Sequence, residues 1–468
     1  MGQNNRARRA AKSKAKAKAR SGGPPGQAGS PGSRSGTTGG GHASAWSSPP
    51  PEDPWFDDAE VVREVLNETA WAKATGNPSY RRGIDTLASA PLVMSCTAVE
   101  GLLLQGIAGQ WRNGWQPAEL QRQGRRATSA AGGRLVALAI ATDDASRRAT
   151  TLDPRWRAQL DALELPRVSG RPGWAERWTQ EEQLAARAAI VAMIDVVADI
   201  LSLPPLDVIL PPPGSTAASR AATRRSTAVG AESDPILDRI RNLLAKAEST
   251  TFEAEATALT AKAQQLMTRH AIDAALVEDR NEGGSYEAPV MVRVPIEAPY
   301  VDAKSLLLQT VAGASRCRSV FHGRVDLSTV VGFTGDVAAT ELLFTSLLIQ
   351  AQSALADAAK HAPPGTRVRS QSYRSAFLLA YTDRIGDRLR EINESVFAEV
   401  EAEQGGAFLP VLRSRTEAVD DFVSEQFGEL QSSRVRGGYD AAGWASGRLA
   451  ADQAELASGH LPEGAAAG

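Results

Sequence analysis

The sequence predicts an α+β fold, mainly helical: an N-terminal all-α domain, then a helical hairpin, then a small three-stranded sheet in the order β-α-β-β-α covered by helices. Three observations predict it. Apolar residues recur at helical spacing through residues 53–210 and again through 234–280. The period falls to two around Val290, Val292, Val294 and Ile296. Two low-complexity stretches, residues 1–52 and 211–233, separate these parts. The first of them is basic, then Gly/Ser/Pro-rich, and has too little apolar surface to order itself.

Taken in chain order, Asp53-Pro54 supplies an N-cap followed by proline at the first helical position, and Val61, Val62, Val65 and Leu66 follow on one face. Leu92–Trp111 reads as a more buried helix. Pro117-Ala118-Glu119-Leu120 opens a third, Leu135–Ala141 lies in a fourth, and Asp153-Pro154 repeats the Asp-Pro start. A last helix of this part is expected over about Gln180–Leu203, stopped by Pro204-Pro205. Beyond the linker, Asp234 caps a helix whose stripe is Ile236, Leu237, Ile240, Leu243 and Leu244. Ser249-Thr250-Thr251 breaks it. Thr250 and Glu253 have capping-box spacing and start the return helix, with Ala256, Leu259, Ala263, Leu266, Met267 and His270 on one face.

Residues 286–460 form the predicted α+β domain. A strand over Val290–Ile296 precedes a helix over Val301–Ala314. Two strands, Cys317–His322 and Leu327–Phe333, turn near Gly323. Gly335-Asp336 caps a helix to about Lys360, Asp336 being the N-cap. Pro363-Pro364-Gly365 then breaks the chain, and helices are expected near Tyr373–Val396, Ala418–Phe427 and Asp440–Ala457.

Charge is unevenly distributed. Residues 1–50 hold nine cations and no acid. The chain as a whole is −2, which leaves −11 for residues 51–468. A basic segment before an acidic body points to nucleic acid or another anionic surface as partner. Basic residues are mostly arginine, with only nine lysines, a bias that points to a G+C-rich bacterial genome. The basic N-terminus is followed by Gly and Pro, not by the apolar core of a signal peptide. The longest apolar run, Val93–Ile107, is short for a bilayer and contains Glu100. A cytoplasmic location with no membrane partner is therefore expected.

At the hairpin, IRNLLAKAESTTFEAEATALTAKAQQLMTRHAID (Ile240–Asp273) resembles the domain of unknown function 2786 family, whose members are bacterial and uncharacterised. Downstream, YVDAKSLLLQTVA, CRSVF, VVGFTGDVAATELLFTSLLIQA and the helix from Tyr373-Arg374-Ser375-Ala376-Phe377 resemble the partner domain that usually follows it. GWASGRLAAD resembles the family's ending. Trp115–Leu120 and Asp153–Trp156 resemble the N-terminal region of longer members. The resemblance covers most of residues 53–460. It implies the domain plan and, the family having no assigned activity, no reaction.

Arg6, Arg8, Arg9, Lys12, Lys14, Lys16, Lys18 and Arg20 lack an apolar stripe, so they make no membrane-surface helix. They form a polycation suited to DNA or RNA phosphates without base preference, with a solubilising extension as the plain alternative. Cys317 lies between Arg316 and Arg318, which would lower a thiol pKa. His322 is its nearest base, but an offset of five on one strand places the two on opposite faces. A buried cysteine acting as a small hydrophobe is the simpler expectation. His42, His270, His322, His361 and His460 show no zinc spacing, and neither metal nor cofactor is expected. Phe321 and Phe333 alone do not make a base-stacking sheet. Tyr373, Phe377 and Tyr381 read as a core stripe. Asp383, Arg384, Asp387 and Arg388 read as a solvated face or, alternatively, an anion-binding row. Gly443 and Gly447 permit a close helix approach.

The sequence thus predicts a binding protein associated with nucleic acid through its basic segment. One alternative is an enzyme of unknown type with a polar site from Arg316, Arg318, Asp336, Glu341, Tyr373 and Arg374. The other is a partner-binding module that uses the hairpin.

Overall fold

The computed structural model describes residues 59–148, 151–168, 170–218, 235–249, 253–280, 288–361, 366–431 and 440–453. The basic segment, the Asp53-Pro54 start, most of the 211–233 linker, Asp234, Thr250 and Pro363-Pro364-Gly365 lie outside them. The fold is α+β and mainly helical, with one three-stranded antiparallel sheet. The described residues, from Ala59 to Gln453, make one compact unit.

Its first part is all-helical: α1 (Ala59–Ala74), α2 (Tyr80–Ser89), α3 (Leu92–Arg112), α4 (Pro117–Ala127), α5 (Ala130–Ala145), α6 (Pro154–Ala162), α7 (Trp174–Glu181) and α8 (Ala186–Ser202). By length and composition α3 is apolar enough to cross a membrane. Here it packs among the other helices. Its Glu100 carboxylate is buried and accepts the Gly173 and Ala175 N–H groups at 2.8–3.0 Å, which caps the start of α7. Tryptophans organise the core. Trp111 meets Trp156 edge-on at 5.1 Å and donates to Asp143 (2.9 Å), and Trp115 donates to Pro204 O (2.8 Å).

Two expectations are corrected here. The single helix expected over Gln180–Leu203 is two, α7 and α8, broken where Gln183 turns into the left-handed region (φ 52°). The helix α2, containing Gly83, was not anticipated. A Cβ there would meet Thr69 Oγ1 at 2.0 Å, so this glycine serves a close approach of α2 to α1.

The hairpin is α9 (Pro235–Ser249) and α10 (Glu253–Arg280). After it come β1 (Val290–Pro295), α11 (Val301–Ala314), β2 (Arg318–His322), β3 (Leu327–Gly332), α12 (Thr334–His361), α13 (Gln371–Gln404), α14 (Phe408–Phe427) and α15 (Ala441–Gln453). The strand order is β1-β3-β2, with Val292 opposite Val330 and Phe321 opposite Ser328. Central β3 is buried at every position. Alternation sends Val330 and Phe321 into the core shared with the hairpin, α11, α12 and α13. It sends Val331, with Met291 and Val320, under Val419 and Val423 of α14. Both faces are covered, so no open sheet remains on which bases could stack.

The long helix α13 starts at Ser370, whose hydroxyl accepts Tyr373 N–H, and it carries the expected stripe: Tyr373, Phe377 and Tyr381 are buried. Helix α15 lies directly on it. A Cβ on Gly443 would meet Tyr373 O at 2.4 Å, and one on Gly447 would meet Phe377 O at 2.2 Å. The charged face of α13 is engaged in ion pairs and hydrogen bonds. Arg384 pairs with Asp452 and Glu391, Arg388 donates to Ala451 O, and Asp383 accepts from Arg448. All but the Arg384–Glu391 pair, which lies within α13, fasten α15 to α13.

Candidate functional site

A cavity of about 380 Å³ opens where the hairpin meets the start of α12. Its apolar wall comes from Leu237 and Ile240 of α9, Met267, Ala271 and Ala274 of α10, and Ala339 of α12. Its polar groups are His270, Thr334, Asp336, Arg415 and the Gly335 backbone. The size is within the range of small-molecule sites. Leaving β3, the chain turns at once into α12, and Phe333 O accepts the Val337 N–H at 2.9 Å. Gly332 allows that turn to sit tightly, since a Cβ there would meet Cys317 Sγ at 2.4 Å.

Asp336 is therefore not the N-cap the sequence predicts. The helix already begins at Thr334, which leaves Asp336 inside the first turn. There its charge complements the helix dipole, and its carboxylate accepts from Arg316 Nη2 at 2.8 Å. Beside this pair, the Arg415 guanidinium lies 3.6 Å from the centre of the Phe333 ring, a cation–π contact.

Of the six residues predicted as a polar site, Arg316 and Asp336 are joined. Arg318 turns away to Asp420 of α14, with Nε 2.7 Å from Oδ1. Glu341 is half-buried further along α12, and burial pushes its carboxyl up. Tyr373 is 1% exposed beneath α15, and Arg374 is half-buried with its Nε unpaired. Among the described residues, none of these four bonds to the Arg316–Asp336 pair. Neither thiol is reactive in character. Cys317 is fully buried and its pKa is pushed up to about 12 by desolvation; Cys96 is likewise pushed up to about 12. His322 bonds Thr329 Oγ1 at 2.8 Å, and burial lowers its pKa. The tail cations Arg6 to Arg20 lie outside the described residues.

The strongest electrostatic feature is one that sequence reading missed. Helix α4 lays its polar face on the sheet domain. Glu119 pairs with Arg293 of β1 at 2.6 Å, their side chains 9% and 1% exposed. The other Arg293 N–H groups reach Asp207 O and Gly114 O. One turn on, Arg122 pairs with Glu297 at 2.6 Å and donates to Ile296 O and Val325 O. Arg126 pairs with Asp326. Val325 and Leu327 complete the seam by entering the helical core. Burial pushes the Glu119 carboxyl up, against the pull of Arg293. Nearby, Asp199 accepts from Gln123 at 3.0 Å, and burial pushes it up to about 6. The arginine–carboxylate pairs knit the helical part to the sheet, and none of these groups lines the cavity.

Fold and cleft together define a mainly helical α+β protein with a cleft at the foot of its hairpin. The family model described as a protein of unknown function (DUF2786) matches residues 236–274, which are α9 and most of α10, so the chain carries this domain of unknown function. No curated protein and no solved structure matches the chain.

Proposed function

We propose that the chain is a cytoplasmic, bacterial binding protein that associates non-specifically with DNA or RNA through Arg6, Arg8, Arg9, Lys12, Lys14, Lys16, Lys18 and Arg20. The observation that carries this reading is the charge asymmetry: +9 over residues 1–50 against −11 over the remainder. A polycation gains affinity by releasing counterions from phosphates and needs no fixed geometry. The ionic arrangement of the body supports binding over catalysis. Arg293, Arg316 and Arg318 are engaged with carboxylates, and burial pushes both thiols up to about 12. The 286–460 region is read as the partner domain that accompanies the hairpin.

The test is binding to labelled duplex, single-stranded DNA and RNA across a salt series, comparing the full chain with a variant in which the eight cations are replaced by glutamine. Eight phosphate contacts give a log–log salt slope of up to about −7 on duplex. A slope near zero, or unchanged affinity in the variant, would refute the reading.

A further inference from the structure

We propose that the cleft between the hairpin and the start of α12 takes a single unpaired nucleobase, stacked on the Arg415 guanidinium. This rests on the reading of the chain as a nucleic-acid-associated protein and adds a second, uncharged mode of contact to it.

The argument begins with Arg415. A guanidinium is planar and delocalised, and this one lies 3.6 Å from the centre of the Phe333 ring while also lining the cavity. A flat cation backed by an aromatic ring forms a platform for a second π-system. Bases stack on such guanidinium planes without regard to sequence. The opposite requirement, an apolar surface for the base's other face, is met by Leu237, Met267 and Ala271. A base also needs mixed donors and acceptors along its edge. The Thr334 hydroxyl and the Asp336 carboxylate line the same space.

The Asp336 carboxylate in the wall, its charge balanced by Arg316 at 2.8 Å, keeps lone pairs that can accept from the amino and imino groups of a neutral base. A cavity of about 380 Å³ is large enough for one nucleoside, and a base enters such a pocket only when it leaves its stack.

The decisive experiment uses uncharged nucleosides with the full-length protein. Having no phosphate, they are invisible to a polycation and report on the cleft alone. Adenosine, guanosine, cytidine and uridine are titrated by saturation-transfer NMR, and the same strand-binding series is run on single-stranded DNA carrying 2-aminopurine at high salt. Saturable binding of all four is expected, purines tightest. Arg415→Lys keeps the charge and removes the plane. Ala274→Trp fills the cleft from an exposed position and leaves Arg415 in place. Each should weaken nucleoside binding about tenfold or more, with an unchanged melting profile. Absence of nucleoside binding overturns the proposal, and so does binding that both variants leave intact. Failure of the basic segment to bind nucleic acid would instead remove the proposed function, with the nucleoside titration still deciding the cleft.

Discussion

Glu119→Gln is the sharpest probe of how the helical part is joined to the sheet. In the native protein one Glu119 oxygen accepts Arg293 Nε at 2.6 Å and the other accepts the Gln116 N–H at 2.9 Å, closing a capping box at the start of α4. Glutamine offers one acceptor oxygen. Whichever way its amide turns, an N–H group faces another N–H. Arg293, 1% exposed, would also keep its charge with its partner neutralised. Leaving one member of a buried pair uncompensated costs about 3–5 kcal/mol, a large share of the stability of an ordinary domain. Urea unfolding followed by tryptophan fluorescence measures the loss, with Trp115 sitting beside the seam. Replacing Arg293 by Met in the same chain removes the stranded charge. The double variant should therefore be more stable than the sum of the single losses predicts, with a coupling energy above about 1 kcal/mol. A loss below about 1 kcal/mol for Glu119→Gln, or additive behaviour in the cycle, would refute the buried pair as the joint.

Three further outcomes are expected. Asp199 has a folded pKa of about 6, above its ordinary 3.8, so the native state holds its proton more tightly and stability falls as pH rises through 6. Asp199→Asn keeps an acceptor for Gln123 and should raise stability at pH 7.5 by up to about 3 kcal/mol while changing little at pH 4, as read by thermal melts; a less stable variant at pH 7.5 would contradict this. Gly447→Ala drives a methyl into the Phe377 carbonyl and should cost about 1–3 kcal/mol, whereas Gly335→Ala, which meets nothing within 4 Å, should be near neutral; equal effects would show that α15 is not seated as described. Finally, Cys96 and Cys317 should resist a thiol reagent at pH 8 until the protein is unfolded, since both thiols are buried and shifted up to about 12; labelling of the native protein within seconds would refute that.

Where apolar period, caps and turns agreed, sequence was a good guide. Asp153 caps α6 through the Arg155 N–H, Gly443 and Gly447 seat a helix, and the β2–β3 hairpin pairs through Val320 and Thr329. Misreadings arose where a tertiary contact overrode a local signal. Helix α2 carries Gly83 because Thr69 of another helix needs the space. Helix α14 begins at Phe408, ten residues before the expected Ala418, because Phe408 and Leu412 are pulled into the core. The Glu119–Arg293 and Arg122–Glu297 pairs join residues about 175 apart, and nothing in either neighbourhood marks them as partners. Arg415 was invisible for the same reason: its ring partner, Phe333, belongs to a different element, and an arginine on a charged helix carries no sign of stacking.

The hairpin's burial decides which of its faces can matter. A partner-binding module would keep an apolar stripe open to solvent. Here Ile240, Leu244, Met267, Ile272 and Ala275 are buried in the common core. Polar contacts hold it as firmly. Thr268 donates to Asn393 Oδ1 at 2.9 Å, and Asn393 donates in turn to Ala314 O at 2.8 Å, so α10 is tied to α13 and to the end of α11 inside the protein. Among its described residues, Leu237, Met267 and Ala274 form the wall of the cleft facing Thr334 and Arg415. On the proposed reading, recognition runs through the hairpin's junction with α12 and α14, and substitutions at the junction should alter nucleoside binding where substitutions along the buried stripes alter only stability.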